Sequence, residues 1–156
     1  MDRITCVQLY VNRLLDTITD AQEHRTAAVH LYGVAGNAAL LAIRRGLDPE
    51  LATVAGLLHD ISTYATGERK NHAGRSAAMA RTCMKSAGQF TQEEMDAICS
   101  AIAHHSDKEK EQAPLDEVLK DADVLHHCLH NPSAAPNEKE AARYDALLHE
   151  IRHDLS

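Results

Sequence analysis

Tryptophan is absent from this chain, phenylalanine occurs once and tyrosine four times in 156 residues. So thin an aromatic supply, set against abundant Ala and Leu, argues against a sheet-built core and for helix packed on helix. The four cysteines, Cys6, Cys83, Cys99 and Cys128, include no Cys-x-x-Cys pair. They are expected as small buried hydrophobes in a reducing compartment, not as a disulfide frame or a zinc knuckle. Basic residues are outnumbered, 16 Lys and Arg against 23 Asp and Glu, for a net charge of −7 with His neutral. An extended nucleic-acid surface is therefore not expected, although a local basic pocket for phosphate is compatible with that balance. Met1-Asp2-Arg3-Ile4 opens no long apolar run, and no window is expected to approach a membrane span, so the expected location is the cytoplasm. No Ser or Cys stands at the spacing of a nucleophilic triad.

What is present is helical periodicity. Ile4 to Ile18 suggests a first helix ending near Thr19, and a second runs from about Thr26 to Arg45, with Gly46 beyond it as a left-handed terminal residue. Asp48-Pro49 reads as N-cap and first position of a third helix, whose buried stripe is Leu51, Val54, Leu57, Leu58 and Ile61. Residues 62–70 form a polar connection. A fourth helix runs from Asn71 or His72 to Ser86, closed by Gly88, and Thr91 to Glu94 fits a capping box opening a fifth that reaches His104-His105. Pro114 precedes a sixth, Leu115 to about His130, and Asn137 starts a last amphipathic helix toward Asp154. No stretch alternates with a strand's period. The expected fold is all-α, a single compact bundle of six to seven helices spanning residues 1–156 in one domain.

The chain is rich in histidine, with eleven. His59-Asp60 follows an apolar helical run, with His59 outside the buried stripe over Ala52, Ala55 and Gly56, which are small enough for another element to approach closely. Asp60 points about 100° away from it. His30 is in register with Val34 and Leu41 and projects inward. His72 opens the fourth helix, His104 and His105 end the fifth, and Asp121 and Asp123 occupy the sixth. Each of these alone is an ordinary polar residue. Together they offer the mixed imidazole and carboxylate shell that suits Mn, Fe, Ni, Zn or Mg. Periodicity does not choose between Asp121 and Asp123, which flank the buried face on opposite edges, each about 100° from its centre.

His30, the run Gly56-Leu57-Leu58-His59-Asp60-Ile61 and Ala122-Asp123-Val124-Leu125 resemble the HD-domain superfamily of metal-dependent phosphohydrolases, over roughly residues 25–130. The resemblance implies that His30, His59, Asp60 and Asp123 hold one divalent metal, and it favours Asp123 over Asp121. In two-metal members a later His and a His-His pair are added; His72, His104 and His105 match, with Asp60 bridging both ions. His59 and Asp60 are then the catalytic pair. The Gly and Lys that many relatives carry after the doublet are missing here, where Ile61-Ser62-Thr63-Tyr64 follows. The cyclic-dinucleotide branch is a poor match, and Thr63 stands where the 5′-nucleotidase-like branch has Glu.

Arg69, Lys70 and Arg75 are candidates for the missing positive charge near a phosphate. His126, His127 and His130 follow Asp123 at i+3, i+4 and i+7 and share its side of the helix, so His127 is a candidate substrate contact or proton donor. His24, His149 and His153 are read as surface residues. The expected function is hydrolysis of a phosphate ester or anhydride in a small, nucleotide-like substrate by a metal-activated hydroxide, using one or two ions. The alternative is a non-catalytic metal-binding or nucleotide-sensing helical domain. A small phosphorylated partner is expected and a membrane is not.

Overall fold

The first helix begins where Asp2 accepts a hydrogen bond from the Thr5 backbone nitrogen at 2.9 Å. The computed structural model of the chain describes residues 1–153. Among them are eight helices: α1 (Arg3–Leu15), α2 (Ala21–Arg44), α3 (Pro49–Leu58), α4 (Ile61–Thr66), α5 (His72–Ala87), α6 (Gln92–His104), α7 (Pro114–His130) and α8 (Ala141–His153). Seven are long and α4 is six residues, and no strand occurs among the described residues. The expected all-α bundle is what forms.

Several ends fall where capping chemistry puts them. Asp48 accepts from the Glu50 nitrogen at 2.8 Å with Pro49 in the first position of α3. The capping box at α6 is complete: the Thr91 hydroxyl accepts from Glu94 N at 3.2 Å, and the Glu94 carboxylate accepts from Thr91 N at 2.9 Å. Gly46 follows α2 with φ +70°, a conformation that a Cβ would disfavour.

Other boundaries differ from expectation. Helix α1 stops at Leu15, short of Thr19, and α2 starts five residues before Thr26 because Asp20 accepts from both Gln22 N and Glu23 N. The expected polar connection over 62–70 holds all but the first residue of α4, which the polar composition of Ser62, Thr63 and Thr66 conceals. Two buried hydroxyls fasten it to α5. Ser76 Oγ donates to Ser62 Oγ at 3.0 Å, and Ser62 Oγ donates to the His72 carbonyl at 3.0 Å. At the C-terminal side, Asn137 makes a turn by accepting from Glu140 N, and the regular helix starts at Ala141. The expected end near Asp154 lies outside the described residues.

Helix α2 is the axis of the bundle, packed against α3 on one side and α7 on the other. It is long and apolar enough by length and composition to cross a membrane, contrary to the expectation that no window approaches this. Its apolar content is that of a core helix: Ala27, Leu31, Val34, Ala38 and Leu41 are buried in the protein. The α2–α3 contact is close because Gly56 has no side chain. A Cβ there would stand 2.8 Å from the Ala35 backbone nitrogen. Gly33 plays the same part on the other side of α2, where the His126 ring occupies the space a side chain would fill. These two contacts bring three helices near enough for His30, His59 and Asp123 to meet.

Replacing Gly56 by Ala should force α2 and α3 apart and cost about 1–3 kcal/mol of stability. Urea unfolding followed by helical circular dichroism measures it; an unchanged midpoint would remove the close approach as a constraint on the fold.

Candidate metal centre

Helix α3 ends at Leu58 and the chain bends at Asp60, whose φ and ψ are −113° and 16°. This break is why two adjacent residues serve one cavity. On an unbroken helix their side chains would diverge by about 100°; here His59 Nε2 lies 3.4 Å from Asp60 Oδ2. His59 is fully buried. His30, from α2, places Nε2 3.0 Å from His59 Nε2 and 3.2 Å from Asp60 Oδ2. Asp123, from α7, completes this group, with Oδ1 3.6 Å from each of the two imidazole nitrogens.

The other oxygen of Asp60 faces a second pair. Oδ1 is 3.1 Å from His105 Nε2 and 3.4 Å from His72 Nε2, and the two nitrogens are 3.3 Å apart. Thus one carboxylate faces two imidazoles on each side. The groups His30–His59–Asp60, His59–His105–Asp123 and Asp60–His72–His105 each have ligand atoms close enough to hold a single ion.

The orientation of the rings obeys one rule. His59 Nδ1 donates to the Gly56 carbonyl at 2.7 Å, His105 Nδ1 to the Ile102 carbonyl at 2.7 Å, and His72 Nδ1 to the Arg69 carbonyl at 3.0 Å. With the proton committed to Nδ1, each neutral ring presents the Nε2 lone pair to the cavity. Asp60 Oδ1 and Asp123 Oδ1 are buried there without a hydrogen bond. Lone pairs facing lone pairs at these distances repel unless a cation stands among them. The donor set, imidazole nitrogens with shared carboxylates, fits a borderline divalent ion.

Without such an ion, protons must supply the positive charge. Burial favours neutral His59, but the charges of Asp60 and Asp123 overcome it and push its pKa up to about 10. Burial would likewise raise Asp60, yet the His59 charge and the His105 and His30 rings hold it well below the ordinary carboxylate range. Asp123 is lowered in the same way by His59 and Lys108 against its burial. His105, dominated by burial, is shifted down and stays neutral.

The remaining expected site residues divide. His104 does not reach the cavity: its Nδ1 donates to Asp116 Oδ2 at 2.7 Å, on the first turn of α7. The reason is that His105 keeps helical backbone angles, φ −60° and ψ −23°, so the two rings diverge by about 100° and only His105 continues the buried face of Ile98 and Ile102. Asp121 accepts from Arg45 at 2.7 Å and Arg143 at 2.9 Å, while Asp123 faces the histidines, which resolves the choice periodicity leaves open. Arg69 lines a cavity of about 410 Å³ that opens on His30 and Asp60, together with Tyr64 and His127. Lys70 is exposed and does not line it. Arg75 is turned to Glu68 and Thr66, at 2.8 and 3.0 Å, and is likewise outside it.

Two contributors carry no signal in the sequence. Lys108 Nζ donates to Asp123 Oδ2 and to the His105 carbonyl, both at 2.6 Å, fixing which oxygen of Asp123 faces the cavity. Glu140 accepts from His127 Nδ1 at 2.8 Å, leaving His127 Nε2 aimed at Asp123 Oδ1, 3.5 Å away. Neither residue stands at a telling spacing. A turn or loop residue is tied to the site by tertiary contact alone.

The all-helical bundle turns five imidazoles and two carboxylates into one cleft, and groups of these residues could hold a metal ion. A family model of the HD domain matches residues 28–128, well over half the chain. The chain belongs to the HD-domain superfamily of metal-dependent phosphohydrolases. No curated protein and no solved structure matches it.

A divalent ion entering this group has to displace the proton on His59, so apparent Mn²⁺ affinity should rise with pH throughout the range below about 10. Calorimetric titration in two buffers of different ionisation enthalpy reads the protons released. Uptake of metal with no proton release at pH 7 would falsify the account of the charge.

Proposed function

We propose that the protein is a phosphohydrolase acting on a small, nucleotide-like phosphate ester or anhydride, with a divalent metal held by His30, His59, Asp60 and Asp123. His72 and His105, together with Asp60, would hold a second ion, a shell smaller by His104 than the family pattern implies. The observation that carries this reading is the pair of buried carboxylate oxygens without hydrogen bonds, facing imidazole nitrogens whose partners leave only lone pairs toward the cleft. Metal identity within Mn, Fe, Ni, Zn and Mg is left to elemental analysis, since this donor set accepts all of them.

When bound, the metal supplies Lewis-acid polarisation of a phosphoryl oxygen and activation of water. The chain's own groups do the rest. Asp60 and Asp123 supply the negative charge that a cation would answer, and Lys108 holds Asp123 in its orientation. Arg69, on the wall of the cavity, attracts the phosphorylated substrate. His127 reaches the cavity from its rim, with Glu140 fixing the proton on Nδ1. In its protonated form His127 can give the Nε2 proton to the leaving oxygen, and Glu140 stabilises the charge this requires. The acidic surface overall favours a small substrate over a polymer.

Reconstitution under anaerobic conditions with Fe²⁺ or Mn²⁺, followed by phosphate release from a panel of esters and anhydrides, tests the reading. Turnover that a chelator abolishes is expected; tight nucleotide binding with no turnover by the loaded protein assigns it instead to a sensing role. The same preparation should bind two ions per chain. His105→Ala should reduce this to about one, while His104→Ala leaves it at two.

Substitution of His127 by Ala should lower kcat by about 10²–10⁴-fold. Glu140→Gln should cost about 10–100-fold, by analogy with carboxylates that orient a functional histidine. Equal rates for wild type and His127→Ala would remove the histidine from the proton path.

A further inference from the structure

The cavity that opens on His30 and Asp60 is longer than one phosphate needs. Helices α2 and α7 form its walls, and they run antiparallel: Asn37 of α2 bonds to the Ala122 carbonyl at 3.3 Å, and His30 stacks on His127 with ring centroids 5.4 Å apart. Going outward from the centre, α2 contributes His30, Val29, Arg25 and Gln22, and α7 contributes His127 and His130. From His30 to Gln22 is eight residues, about 12 Å along the axis, and from Asp123 to His130 is seven, about 10 Å. The cleft is therefore a trough, with the candidate metal centre at its deep end.

Its outer part carries unmatched positive charge. In this acidic protein Arg3, Arg45, Arg75, Arg81 and Arg143 are each paired with a carboxylate. The two arginines on the trough are not. The Arg25 guanidinium donates only to the neutral Gln22 amide oxygen at 2.9 Å, and that of Arg69 has no hydrogen bond or ion pair among the described residues. They approach from different elements, Arg25 from α2 and Arg69 from the connection between α4 and α5. Between them and the centre lie Val29 and Tyr64, which give the wall an apolar band.

We propose that the trough takes a substrate with at least two linked phosphate groups, the scissile one at the deep end and the next one held by Arg25 and Arg69. A single phosphate bound at the centre would leave both guanidinium groups without an anion, whereas a second phosphate carries the acceptor oxygens they lack. The organic part then lies at the mouth, toward Gln22 and His130. This rests on the phosphohydrolase reading and narrows its substrate to phosphoanhydrides over simple monoesters.

The test is binding, so that it is separate from turnover. Calorimetry in excess Mg²⁺ compares adenosine monophosphate with the non-hydrolysable α,β-methylene adenosine diphosphate. The wild type should bind the diphosphate analogue about tenfold more tightly, a difference of about 1.4 kcal/mol. The Arg25→Gln, Arg69→Gln double variant should lose most of that preference while its melting temperature and metal stoichiometry stay as in the wild type. Equal affinities in the wild type, no binding of either ligand, or a preference that survives in the double variant would each overturn the proposal. Absence of turnover on every ester and anhydride of the panel, with the binding preference intact, would instead count against the hydrolase reading alone.

Discussion

Everything in this molecule answers to a charge problem at the junction of α2, α3, α6 and α7. One oxygen of each of two carboxylates, Asp60 Oδ1 and Asp123 Oδ1, is buried among imidazoles without a hydrogen bond, so the cleft favours positive charge inside it. A proton on His59 meets the need in part, which is why burial fails to keep that ring neutral. A divalent ion meets it better, because it serves several lone pairs at once. The bundle is organised to keep these groups together against their repulsion. Glycines at 33 and 56 let three helices close in, and buried serines tie α4 to α5 beneath His72.

The orienting device is the same at three places. His59, His72 and His105 each donate to the carbonyl three residues earlier, at or beside a helix terminus. Carbonyls in the last turn of a helix lack partners within the helix, and a nearby imidazole can satisfy one of them. At the end of α3 the Gly56 carbonyl gains a donor in this way, the Ile102 and Arg69 carbonyls add an imidazole to a backbone N–H they already accept, and each ring gains a fixed tautomer. No carboxylate is needed behind these rings, and the site's negative charge is confined to the cleft itself.

Much of this is legible in the sequence because it depends on local spacing. The His59-Asp60 doublet, the inward register of His30 and the placement of His72 and His105 at helix ends need only a 3.6-residue period and its interruptions. Asp123 is singled out by its neighbours Ala122 and Leu125 through resemblance, where periodicity sees two equivalent acids. Spacing brings His104 into the site because it ends the helix one residue too early, and one residue on a helix is about 100°. Helix α4 hides in a polar stretch whose hydroxyls are spent on tertiary contacts. Lys108 and Glu140 are out of reach for a different reason: each acts across 13 to 15 residues of chain, and no local pattern encodes that.

Glu140 and Arg143 both lie beyond residue 128, where the family match ends. Yet Glu140 aims His127, and Arg143 grips the carbonyls of Lys108 and Lys110 while pairing with Glu117 and Asp121. The stretch Lys108–Lys110 is the same one that carries the ammonium on Asp123. The matched core thereby carries the cluster of imidazoles and carboxylates, and residues beyond the match trim the geometry around it. Changing those residues would retune the aim of His127 and the loop beside Asp123 and leave the cluster itself in place.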